Sequence, residues 1–277
     1  MQRLSEVFGV VPDGVRDIDL DSDQALYLEP LRLDQVNDPD FDAEDAGLRM
    51  SMFMGGADSL LDDPDEQQHL SRLLKGPHEL NETRLGLGAG KPQGNGTSEL
   101  MLTQVLLTMR QIEGLEVDKH PEGLLTFTPR FGEDRYSDLC TNIMASDLIQ
   151  FTERKCRRYG IPMTPGHRIV VFNPVTLEWE TLIVELPTYS SLGIIFVPEA
   201  LLVDDYPYTA QEYVNFEILE GRKVFYKRRG HKMTKHEILK LETAEIMHDK
   251  FKTYALQEAV REPARYLEYL KKRRTLG

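Results

Sequence analysis

Three features of these 277 residues point to an α+β fold, mostly helical with a small antiparallel β-meander. Apolar residues recur at helical spacing over most of the chain. The period changes to alternation only between residues 168 and 198, and the chain then returns to capped helical segments.

Residues 12–47 are rich in Asp and interrupted by short apolar clusters, Ala25–Leu28 and then Pro30, Leu31 and Leu33, which predicts an irregular, partly extended lead-in packed on the body. Between Asp45 and Leu61 the apolar residues gather around Leu48, Met50, Met52, Phe53 and Met54. That grouping predicts a helix stopped by Gly55 and Gly56. A short helical piece follows from Asp65 to Leu74, and then a glycine-rich loop, residues 85–98. Ser98 is placed to cap a helix over 99–113, a short strand is expected at Leu124–Thr128, and Asp134 is expected to cap a long helix ending near Gly160 and Pro162.

RIVVF and WETLIVEL, joined through Asn173 and Pro174, read as a hairpin, with GIIFV before Pro198 as a third strand. Thr209 opens a helix to about residue 220. Thr234 and Glu237 match a capping box that starts a helix running to about Val260, and Pro263 punctuates a last helix ending in Lys271, Lys272, Arg273 and Arg274. Three consecutive segments result: an acidic lead-in at 1–80, a helical core with the meander at 81–205, and a C-terminal helical region with a basic patch at 206–277.

Charge is distributed unevenly. Residues 1–80 hold 19 acidic and 6 basic side chains and carry the whole net charge of −13, while the remainder holds 27 of each. Within that balanced part, residues 221–240 contain Arg222, Lys223, Lys227, Arg228, Arg229, Lys232, Lys235 and Lys240 against Glu237 alone. Such a local excess of +7 is the electrostatic footprint of a phosphate-bearing partner, and it makes Arg222, Lys223, Lys227, Arg228, Arg229 and Lys232 the candidate nucleic-acid contacts. An acidic quarter suits a basic protein partner. No apolar run approaches the roughly 20 residues of a membrane span, the start lacks the order of a signal peptide, and a cytoplasmic location is expected. Cys140 and Cys156 are read as two buried thiols on one helix, about 24 Å apart and so out of disulfide reach.

Several chemical templates fail at named positions. A P-loop needs glycine where Leu85 stands and Ser or Thr where Pro92 stands, which leaves Lys91 as a phosphate or partner contact. The alternation Asp17, Asp19, Asp21, Asp23 resembles a calcium loop, but Ser22 replaces its glycine and Leu28 its final glutamate. A restriction-type nuclease motif at Glu180 and Glu185 breaks at Pro187. No cofactor or metal is expected. The most specific segment is Gly132–Asn142, where Asp134, Asp138 and Asn142 recur every four residues and line one helical face, with Leu139, Cys140 and Ile143 turned inward. Asp134 and Asp138 are the candidate catalytic carboxylates; Arg135, Ser137 and Asn142 are candidate partner contacts.

The phrases LYLEPLRL, NETRLGLGAG, GEDRYSDLCTNIM, FTERKCRRYGIP, LEWETLIVELP and IIFVPEALL, in that order, resemble a group of bacterial proteins associated with restriction and antiviral defence. In that group a module like this precedes a restriction-endonuclease-like domain. No such domain follows before Gly277, so no nuclease residues carry over. The resemblance implies a sensor, adaptor or regulatory subunit of a DNA-directed defence complex whose effector, an ATPase, helicase or nuclease, is another chain. The segment Asp134, Arg135, Ser137, Asp138 is the counterpart of the group's Asp-Arg-x-Ser-Asp phrase. Two alternatives stand beside this reading: a metal-dependent nuclease using Asp134 and Asp138, and an acidic DNA mimic built on the Asp-rich lead-in.

Overall fold

The computed structural model describes residues 2–76, 80–86 and 99–274. In chain order the helices are α1 (Leu4–Phe8), α2 (Ala43–Leu60), α3 (Gln67–Lys75), α4 (Glu99–Met109), α5 (Glu122–Phe127), α6 (Glu133–Ile143), α7 (Ala145–Tyr159), α8 (Ala210–Tyr213), α9 (Leu219–Arg228), α10 (Lys235–Glu242), α11 (Lys250–Arg261) and α12 (Pro263–Arg274). One π-helical turn, Val214–Ile218, joins α8 to α9. Strands are few and pair antiparallel: β1 (Tyr27–Leu28) with β6 (Leu202–Val203), β2 (Thr164–Asn173) with β3 (Glu178–Leu186), and β4 (Thr188–Tyr189) with β5 (Leu192–Gly193). The fold is α+β.

The chain divides into two compact units, one of residues 1–94 and 133–206, the other of residues 95–132 and 207–277. These cut across the three consecutive segments suggested by sequence, because α4 and α5 pack with the C-terminal helices instead of with their chain neighbours.

In the first unit the β2–β3 hairpin pairs Phe172 with Trp179. Its turn is tightened by the Asn173 side chain, whose Oδ1 accepts from the Val175 and Thr176 amides at 2.9 and 3.3 Å. Phe53 of α2 meets Phe172 and Trp179 with ring centroids 5.3 and 6.1 Å apart. Contrary to expectation, α2 runs straight through Gly55 and Gly56 to Leu60. Close packing accounts for the residue type: a Cβ on Gly56 would come within 2.5 Å of the Leu177 side chain at the hairpin turn, which would have to shift to admit it.

The helix expected from Asp134 to residue 160 is two helices, broken at Met144, so Cys140 and Cys156 lie on different elements. Both are buried, and burial raises their thiols, that of Cys156 to about 12. GIIFV is buried but does not add a third strand to the hairpin. Past Gly193 its amides are satisfied individually, Ile195 by the Glu82 carbonyl at 2.8 Å and Phe196 by Thr152 Oγ1 at 2.8 Å.

Much of the acidic charge of residues 1–80 is spent inside this unit. Asp17 accepts from the Ser5 amide and hydroxyl, both at 2.9 Å; Asp19 accepts from Ser22; and Asp42 caps α2 through the Asp45 amide at 3.0 Å. Lys155, only 2% exposed, places its ammonium 2.7 Å from Asp38 and 3.5 Å from Asp40. Arg158 adds a second contact to Asp40 at 2.7 Å, and Arg49 holds the buried Asp147 at 2.9 Å. Aspartates dominate because a short carboxylate can bend back to nearby amides.

In the second unit Tyr213, Tyr266 and Tyr269 pack with Phe127, and Leu102, Leu106 and Met109 of α4 join the same core. Residues 122–127 are helical, correcting the strand expected at 124–128. The run Leu124–Thr128 has no alternation, and every one of its residues is buried, a pattern that period alone assigns equally to helix or strand. The helix expected from Thr234 to Val260 is likewise two helices. The chain turns between Glu242 and Lys250, where Asp249, at φ +39°, caps α11. Among the described residues no helix is long and apolar enough to cross a membrane.

Candidate nucleic-acid interface

The basic patch forms a helical hairpin within the second unit. Thr209 starts the helical run by accepting from the Glu212 amide at 3.3 Å. At the end of α9 the His231 amide reaches back to the Tyr226 carbonyl at 3.0 Å and the Gly230 amide to the Lys227 carbonyl at 3.1 Å, with Gly230 at φ +85°. This is a Schellman turn, and the left-handed backbone it requires explains the glycine. Three residues later the capping box closes: Thr234 Oγ1 accepts from the Glu237 amide at 3.2 Å, and Glu237 accepts from the Thr234 amide at 2.8 Å. These bonds hold the Glu237 carboxyl below the usual carboxylate range. Stop and start signals so close together reverse the chain and set α10 beside α9.

Between the two helices lies an open cleft of about 930 Å³. Lys223, Lys227, Lys232 and Lys235 line it together with Glu220 and Glu237, and Val224 and Met233 supply apolar wall. Lys235 spans the cleft, donating to the Asn215 carbonyl at 2.6 Å and pairing with Glu220 at 2.7 Å. Its hydrogen bond lowers the Glu220 carboxyl. Lys223 also approaches Glu220, at 3.6 Å.

The six candidate cations separate into distinct roles. Arg222 points away from the cleft and is held by Glu242 at 2.9 Å and Glu258 at 3.2 Å, so it is a strut, which corrects its assignment as a nucleic-acid contact. Tyr226 donates to the same Glu242 at 3.0 Å, and Tyr254 does so as well, which ties α9, α10 and α11 together. Burial raises the Glu258 carboxyl, with Arg222 opposing. Arg229 lies over the Phe225 ring, 4.0 Å from its centroid. Lys227, Arg228 and Lys232 are exposed and have no ion-pair partner among the described residues.

The other candidates belong to α6 in the first unit. Asp134, Arg135 and Asp138 are half-buried. Ser137 and Asn142 are buried, which corrects their assignment as partner contacts: Ser137 Oγ accepts from the Leu28 amide at 2.9 Å, and Asn142, 1% exposed, donates to the Asp138 carbonyl at 2.8 Å. The polar row is therefore partly an internal hydrogen-bonding device, and Leu139, expected inward, is half-exposed. Among the described residues no group of three or more His, Cys, Asp or Glu side chains is gathered to hold a metal ion. Lys91 and the glycine loop from residue 87 onward lie outside the described residues.

Sequence reasoning missed the apolar lining of the cleft, Val224 and Met233, and the exposed Phe216, whose ring lies near the Lys235 ammonium. Gly230 followed by Thr234 and Glu237 was the available signal for a tight helical reversal.

An α+β protein of two units, with a cationic helical hairpin in the second, is the class that fold and site define. The chain belongs to the DUF8370 family, a domain of unknown function, whose sequence profile matches residues 12–209. No curated protein and no solved structure matches the chain. The matched span includes α6 and ends before the cationic hairpin, so the cleft lies in the part of the chain beyond the family match.

Proposed function

We propose that this chain is a non-catalytic subunit, a sensor, adaptor or regulator, of a cytoplasmic bacterial antiviral defence complex, binding DNA through the α9–α10 hairpin and an effector protein elsewhere. The single observation that carries the reading is the set of exposed cations at the hairpin, Lys227, Arg228 and Lys232, left without an acidic partner among the described residues. Cations that are free before binding can exchange condensed counterions on a polyanion for themselves, which makes association favourable and strongly salt-dependent. Arg222 and Lys235 support this arrangement from within the protein, fixing the two helices that carry the free groups. The resemblance in residues 20–205 to defence-associated proteins supports the cellular setting. The effector is an ATPase, helicase or nuclease on a separate chain.

Fluorescence anisotropy with labelled DNA, single- and double-stranded, over a salt series tests the DNA-binding part. The protein should bind at least one form with an affinity that falls as salt rises. Reversing Lys227, Arg228 and Lys232 to Glu should abolish that binding while circular dichroism stays unchanged. Undiminished binding by the reversed variant would remove the hairpin from the interface.

A further inference from the structure

We infer that the α9–α10 cleft takes single-stranded nucleic acid, with Phe216 as the platform on which a base stacks. The inference rests on the DNA-binding reading above and narrows it to one form of the polymer. Phosphate attraction alone would be met by a flat or convex cationic surface. This surface is instead a cleft, and Val224 and Met233 stand among its lysines. A duplex presents charged backbones and base edges in its grooves, with its base faces stacked away from any protein. Unpaired bases carry exposed π-faces and apolar edges that such lining can cover.

Phe216 supplies the second half of the argument. It is a large aromatic side chain left 55% exposed on the π-helical turn preceding α9. Single π turns within helices are frequent at functional sites. Lys235 fixes its position relative to the cleft: the ammonium that lines the cleft lies 5.4 Å from the Phe216 ring centroid and is itself tied to the neighbouring Asn215 carbonyl. An exposed ring beside a lysine-lined channel is the pairing that proteins use on single strands, with cations following the backbone and aromatic faces receiving bases. Val224, also half exposed, continues the apolar surface along α9. With Lys235 engaged by Glu220 and Asn215, the groups left to meet phosphates are Lys227, Lys232 and Arg228.

Titrations of the full chain with a labelled oligothymidylate of about 15 nucleotides, the corresponding duplex, and oligoglutamate of matched charge as competitor decide the matter. The single strand should bind at least tenfold more tightly than the duplex. Phe216→Ala should weaken single-strand binding roughly tenfold, within the range of base–aromatic stacking, while leaving the salt slope unchanged. Phe216→Trp should retain the affinity, and its added emission, read against the parent chain with Trp179 alone, should be quenched by the oligonucleotide. Exposure of Phe216 keeps both variants folded. Equal or tighter duplex binding, or an unaltered affinity in Phe216→Ala, would overturn the inference while the DNA-binding reading stands. Displacement by oligoglutamate at equal charge would overturn it in favour of an acidic peptide. Failure of both nucleic acids to bind would overturn the proposed function too.

Discussion

The acidic lead-in and the cationic hairpin carry opposite net charges, −13 over residues 1–80 and +7 over residues 221–240, and the structure treats them in opposite ways. Asp17, Asp19, Asp38, Asp40 and Asp42 all accept from groups in their own unit, and Asp38 and Asp40 enclose a lysine that is almost wholly buried. Lys227, Arg228 and Lys232 instead project from a reversal whose own backbone bonds are already complete. A dense run of one sign in a sequence therefore has two physical meanings, internal wiring or an outward field. Side-chain length helps to separate them: short aspartates reach neighbouring amides, whereas long lysines and arginines carry their charge out to solvent.

This contrast can be broken most forcefully at Lys155. Lys155→Ala leaves Asp38 and Asp40 without their buried cation and should cost about 3–5 kcal/mol, read from urea unfolding midpoints. If the lead-in were only a solvated acidic surface, the loss would stay under about 1 kcal/mol. Next in size, Gly56→Val should destabilise by about 1–3 kcal/mol, because the new side chain meets Leu177 at the hairpin turn. A smaller effect is expected at the cationic hairpin, where Thr234→Ala should cost about 1 kcal/mol through the lost cap, with a fall in DNA affinity if the cleft depends on that turn.

A further effect is one of pH. Burial outweighs Arg49 and raises the Asp147 carboxyl from 3.8 to about 6. A raised acid holds its proton longer when folded than when unfolded, so its contribution is fully present below the unfolded value and is lost as pH climbs through about 6. Unfolding midpoints of the parent chain should show that decline between pH 4 and 6, and Asp147→Asn should remove it. An identical pH profile in the variant would mean that Arg49 keeps Asp147 ionised throughout.

Local signals carried the readable part of the fold. The Thr234–Glu237 box, the Thr209 cap, Pro263 and the alternating hairpin each depend on residues within a few positions of one another, and each stands where the sequence places it. The failures share a different origin. Gly56 looks like a stop until Leu177 is brought against it, and Leu124–Phe127 becomes helical among helices from the other end of the chain. For the site, composition located the patch but could not separate Arg222, drawn inward by Glu242 and Glu258, from Lys227 beside it. Nor could it expose Phe216, since an isolated phenylalanine reads as core.

The second unit is assembled from two stretches of chain, 95–132 and 207–277, separated by 133–206. During synthesis α4 and α5, which pack on each other, therefore emerge before the C-terminal helices that complete their core. At about 5–20 residues per second the wait lasts roughly 4–15 s. Over that interval Leu102, Leu106, Leu124 and Phe127, all buried in the finished fold, are greasy surface without a lid. Chaperone demand and translation speed should therefore bear on the yield of this unit more heavily than its final stability does.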